Sequence, residues 1–127
     1  VCAAIADFKV KKISNKKIKK ETLTTLKLIK NIDILKKISI QKTNRPKFVV
    51  GFSTETDSKI LARKKLEAKK CDMIIYNKIS KKNKVFGLDE NKISILTKNK
   101  IVNYSKFSKL KCANLIVDSI YNEIKNK

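Results

Sequence analysis

Between Arg45 and Lys70 the chain passes from a β-branched apolar run, through a glycine, into a lysine-bordered helical pattern, and that order sets the fold class. Phe48, Val49 and Val50 fit a buried strand, bounded upstream by Pro46. Gly51 permits close backbone approach, and Ser53, Thr54, Thr56 and Asp57 are a cluster of helix N-cap residue types. Ile60, Leu61, Ala62 and Leu66 then recur at helical spacing beside a row of lysines. A buried strand that turns into a helix places ligands beyond the C-terminal end of a sheet. The expected site therefore lies at strand ends.

The rest of the chain repeats the alternation. Val1 to Ala6 is a small-apolar run that fits a buried parallel strand ending at Asp7-Phe8. A carboxylate at that point either caps the next turn or faces a ligand or cation. Lys9 to Lys20 (KVKKISNKKIKK) has little to bury. It reads as a solvated loop, or as a flap whose ammonium groups close over phosphates. Thr22 to Lys30 reads as a strand. Asn31 and Asp33 bracket the start of a short helix carrying Ile34, Leu35 and Ile38. The backbone N–H groups at such a cap can serve a base or a phosphate as well as the helix.

Asp72 to Tyr76 is the next buried strand, closed by Asn77, and Lys78 to Leu88 reads as loop. Ile93 to Leu96 and Ile101 to Tyr104, separated by Lys98-Asn99-Lys100, form a hairpin. Phe107, Leu110, Ala113, Ile116, Val117, Ile120 and Ile124 lie on one face of a closing helix. The expectation is α/β: a Rossmann-like, mainly parallel sheet with helices on both faces and an antiparallel hairpin near the C-terminus.

Composition narrows the function. With 127 residues there is room for one domain, and no apolar run is long enough to span a membrane. The formal charge of +21 suggests phosphate backbones, yet only Arg45 and Arg63 among the 32 basic residues are arginine. The lysines are spread over every segment together with Ile and Asn, as an AT-rich coding sequence produces, so they read as a solvated face and nucleic acid is an unlikely partner. There is no histidine, and Cys2, Cys71 and Cys112 have no CxxC spacing, which excludes zinc fingers and His-dependent triads. The thiols are expected to be reduced and buried, in a cytoplasmic protein. The chain opens on Val1 inside a strand pattern, so residues 1–127 are expected to be a single, partial domain of a longer polypeptide.

Several strings occur together in order: Ala4-Ile5-Ala6-Asp7-Phe8, Lys17-Ile18-Lys19-Lys20, Leu26 to Leu35 (LKLIKNIDIL), Arg45-Pro46, Val49-Val50-Gly51-Phe52 with Glu55-Thr56, and Asn77 with Ser80. Over nearly its whole length the chain thus resembles the phosphopantothenate–cysteine ligase domain, in bacteria commonly the C-terminal half of a bifunctional coenzyme A biosynthesis protein. The resemblance implies a dimeric enzyme that joins 4′-phosphopantothenate to L-cysteine through an acyl-cytidylate, using CTP and Mg2+. FMN is implied only if a decarboxylase domain is fused upstream.

By the same resemblance Asp7 contacts the nucleotide and its cation, and Lys17 is the catalytic flap lysine on the triphosphate. Asn31, Ile32, Asp33 and Ile34 line the cytosine site, with Phe52 beside the base. Lys65 and Lys69 contact the nucleotide, and their i, i+4 spacing puts both on one helix face. Val1, Cys2 and Ala3 line the site through backbone and small side chains. The family's usual Pro in the bend is Ile32 here, and its usual Asn-Asp-Val-Ser is Asn77-Lys78-Ile79-Ser80. The family's glycine-rich phosphate loop belongs to a preceding portion outside these 127 residues, so this piece alone is expected to bind nucleotide weakly and catalyse poorly. The alternatives are a basic nucleic-acid-binding module and a non-catalytic dimerisation remnant of the ligase.

Overall fold

Met73-Ile74-Ile75-Tyr76 offers no charged residue to water, and both faces of the strand it forms are covered. The computed structural model describes residues 5–19, 25–55, 59–78 and 89–126. The chain divides into two compact units, residues 1–34 and 35–127.

In the first unit, β1 (Phe8–Val10) and β2 (Leu28–Lys30) pair antiparallel, with Phe8 opposite Lys30 and Val10 opposite Leu28. Backbone bonds extend the ladder at both ends, from Lys11 N–H to the Lys27 carbonyl (2.8 Å) and from Asn31 N–H to the Asp7 carbonyl (2.7 Å). The structure shifts two expected boundaries. Residues 1–4 of the expected Val1–Ala6 strand lie outside the described residues, while Ile5 and Ala6 are exposed and irregular. Among the described residues a strand runs over Phe8, Lys9 and Val10, where Lys9 and Val10 are expected as loop because their lysine content says nothing about a pairing partner in Leu28–Lys30.

The second unit holds α1 (Ile34–Ser39) from Leu35 onward, then β3 (Val50–Glu55), α2 (Lys59–Lys69), β4 (Met73–Lys78), β5 (Glu90–Thr97), β6 (Ile101–Ser108) and α3 (Lys109–Lys125). Its sheet has the order β3-β4-β5-β6. β3 and β4 are parallel, and the pairings onward to β6 are antiparallel, the last being the expected hairpin. Side-chain alternation sorts the core into two layers. Ile74, Tyr76 and Leu96 pack with Ala62 and Leu66 of α2 and with Leu35 and Ile38 of α1. Met73, Ile75, Ile93 and Ile95 pack under Cys112, Ile116 and Ile120 of α3. Helices therefore cover both faces, and the fold is α/β.

β3 runs through Gly51 to Glu55, and the close approach expected at Gly51 is made there. A Cβ at Gly51 would stand 2.5 Å from Leu35 Cδ2 and 2.8 Å from Ile74 Cδ1, so the glycine serves the close approach of α1 to the sheet. Thr56 and Asp57, expected as caps, lie outside the described residues, as do residues 79–88 of the expected loop. The C-terminal end of α2 is set by Lys70 at φ 54°, in the left-handed region common just past helix ends. α3 begins where Ser108 Oγ accepts the Lys111 N–H at 3.2 Å, and a Lys100–Glu123 ion pair of 2.9 Å ties the hairpin loop to it.

Candidate functional site

In the first unit Asn31 is the joint. Its N–H donates to the Asp7 carbonyl, its Nδ2 donates to the Ala6 carbonyl at 3.2 Å, and its Oδ1 accepts the Ile32 N–H at 3.0 Å. A backbone donor and the Nδ2 end of the amide thus fasten the residue after β2 to the residues before β1, while the Oδ1 end holds the next N–H of the bend. Asp7, Asn31 and Ile32 are brought together, and Asp33 and Ile34 follow directly along the bend into α1. The Asp7 side chain is exposed. Lys17 is exposed as well, just past a turn in which Ser14 Oγ donates to the Lys16 carbonyl at 2.8 Å and accepts the Lys16 N–H at 3.2 Å. Val1, Cys2 and Ala3 lie outside the described residues.

In the second unit Phe52 is 66% exposed near the C-terminal end of β3. Gly51 faces Leu35 and Ile74, so alternation turns Phe52 to the opposite face, the one carrying α3. Lys65 and Lys69 are half-buried on α2, three residues beyond the core positions Ala62 and Leu66 respectively. Phe52 and the helix of the two lysines therefore lie on opposite faces of the sheet. Strand-turn-helix spacing could not reveal this, because one residue of strand phase decides it.

Two polar constellations escaped the sequence reading. Asp72 Oδ2 receives the Arg45 guanidinium at 2.7 Å and the Val49 N–H at 2.8 Å. Asn91 Nδ2 donates to Asn77 Oδ1 at 3.3 Å at the far end of β4. The available signals were the rarity of arginine and an asparagine closing an otherwise apolar strand. Burial pushes the Cys71 and Cys112 thiols above their ordinary range, so both are inert core groups at neutral pH, as expected for them.

Among the described residues no three Asp, Glu or Cys side chains gather into a metal cluster. Asp7 alone fits a divalent cation only if phosphate oxygens and water complete the shell, as in Mg-triphosphate complexes. Among the described residues no helix is long and apolar enough to cross a membrane.

Strands covered by helices on both faces define the second unit as an α/β fold. The chain belongs to the DNA/pantothenate metabolism flavoprotein C-terminal domain family, which it matches over residues 1–124. It is 41% identical over 121 residues to the coenzyme A biosynthesis bifunctional protein CoaBC of Haemophilus influenzae, covering 94% of this chain and 30% of that protein. It is 37% identical over 123 residues to the CoaBC of Borreliella burgdorferi, with the same coverage of 94% and 30%. The chain thus spans about a third of the length of these relatives. The crystal structure of the C-terminal domain of a CoaBC has the same fold, with a TM-score of 0.72 at 23% identity, over 98% of this chain and 53% of that one.

Proposed function

We propose that this chain serves a ligase of coenzyme A biosynthesis that joins 4′-phosphopantothenate to cysteine at the expense of CTP. Membership of the family and the names of its CoaBC relatives support the pathway. The observation that carries the site is the Asn31 joint, which fastens the backbone at Ala6 and Asp7, just before β1, to the bend expected around the base.

A free carboxylate is a poor acyl donor, and a phosphate ester on it supplies a leaving group. The pantothenate carboxylate attacks the α-phosphorus of CTP, forming an acyl-cytidylate and expelling pyrophosphate. The cysteine amine then attacks the acyl carbon, the amide forms, CMP leaves and the amine proton passes to solvent. Lys17 offsets the charge that builds on the phosphates during both displacements. Asp7 would supply a carboxylate oxygen to an Mg2+ bound with the triphosphate, which would help neutralise the phosphate charge. The bend from Asn31 to Ile34 shapes the base pocket with main chain and aliphatic surface. Lys65 and Lys69 add positive charge toward the nucleotide. On this reading the enzyme works as a homodimer in the cytoplasm.

The test is CMP release by the full-length protein with CTP, 4′-phosphopantothenate and cysteine, together and with each left out. CMP should appear in quantity only with all three. Lys17→Gln should cut amide formation by about 100-fold or more while the circular dichroism spectrum persists. Unchanged turnover in that variant removes Lys17 from the mechanism.

A further inference from the structure

Asn77 lies at the C-terminal end of β4 and is only 8% exposed. Alternation places it in the row of Met73 and Ile75, on the α3 face, and the parallel ladder sets it opposite Thr54. Phe52 sits on that same face one row back, opposite Ile75, with its ring largely in solvent. Asn77 Oδ1 is occupied by Asn91 Nδ2 of β5, whereas among the described residues Asn77 Nδ2 donates to nothing. No described side-chain nitrogen or oxygen is both fully enclosed and unpartnered, so this Nδ2 still reaches solvent. Among the described residues a nearly buried amide is thus held at one end and takes no partner at the other, one row along the same face from an exposed aromatic ring, where parallel strands finish. Ligands of α/β sheets bind at such ends, and a solvent-reaching donor on an amide otherwise held in place is available to one.

The geometry points to Asn77 as a specificity residue of the nucleotide site. Its Nδ2 donates to an acceptor on the edge of the base, a ring nitrogen or carbonyl oxygen, while Phe52 covers the face of the ring. Asn91 holds the amide plane from behind. This assignment rests on the ligase reading and adds to it a group that recognises the base rather than the phosphates.

Calorimetry on the full-length protein with CTP, CMP and inorganic triphosphate tests it. Asn77→Ala should weaken CTP and CMP by about tenfold or more and leave triphosphate unchanged, because only the base loses its donor. Asn91→Ala should weaken the same two by a smaller factor, about threefold, since it frees the amide without removing it. CTP binding at the wild-type level in Asn77→Ala overturns the assignment, and so does an equal loss for triphosphate. If Asn77→Ala fails to fold, Asn91→Ala decides: a loss confined to CTP and CMP supports the assignment, and no loss overturns it. A wild-type protein that binds neither CTP nor CMP overturns the ligase reading along with it, whereas a neutral variant of a CTP-binding protein sinks the Asn77 assignment alone.

Discussion

Arg45 and Asp72, 27 residues apart, meet with Nη2 2.7 Å from Oδ2, and the pair holds three segments of the chain at once. Arg45 Nε donates to the Ser39 carbonyl at the end of α1 (2.8 Å), and Nη1 to the Pro46 carbonyl (3.0 Å). Asp72 Oδ2 also accepts the Val49 N–H, so the residue before β4 fixes the entry into β3. The side chains are 28% and 14% exposed, which weakens the attraction less than at an open surface. Arg45→Ala should lower the unfolding free energy by about 2 kcal/mol in a denaturant titration, since it strands a partly buried carboxylate. Arg45→Lys should recover little, because a single ammonium cannot reach several acceptors in the plane of the fork.

At Gly51 the absent side chain is the structural feature. Gly51→Ala should cost about 1–3 kcal/mol, because the new Cβ falls against Leu35 and Ile74. Leu35→Ala in the same chain should recover part of that cost, which a double-mutant cycle measures. A neutral Gly51→Ala would show that α1 retreats freely.

Phe52 separates stability from binding. With its ring two-thirds exposed, Phe52→Ala should change stability by no more than about 0.5 kcal/mol. CTP affinity should nevertheless fall by about tenfold, as expected for loss of a ring beside a base. Unaltered affinity takes Phe52 out of the site.

The buried thiols give a pH signature. Burial raises both above the usual thiol value of about 8.5, so the folded chain keeps protons that the unfolded chain releases. Their contribution to stability is present in full below about pH 8.5 and is lost as pH rises through the elevated folded values. Comparing wild type with Cys71→Ala and Cys112→Ala over that alkaline range should show a shallower loss in the variants. Native protein at pH 8 should also react with iodoacetamide far more slowly at both cysteines than the unfolded chain does.

How much of this was legible beforehand differs from element to element. The closing helix and the hairpin around Lys98-Asn99-Lys100 are legible in apolar spacing and polar punctuation, but the expected helix face is only partly right. Phe107 pairs in β6, Leu110, Ala113 and Val117 are exposed, and Cys112 packs inward with Ile116 and Ile120. The Asp72–Tyr76 run is apolar enough to demand cover on both faces, and it has it. Phase proved harder to read. Nothing near Gly51 says whether the chain turns or continues, because the answer lies in Leu35 and Ile74.

The candidate site divides along the same line. Asp7, Asn31 and Ile32 stand out as residue types in short strings, and two strands of backbone pairing bring them together. The face on which Phe52 sits and the pairing of Asn77 with Asn91 could not be read that way. Residue order by itself determined helix periods, apolar strands and the family, since those signals act within a few neighbours of one another. Only the folded chain decided which strand face each side chain takes and which distant polar atoms meet. One residue of register reverses a face, and a hydrogen bond across 27 residues exists only after the sheet has formed.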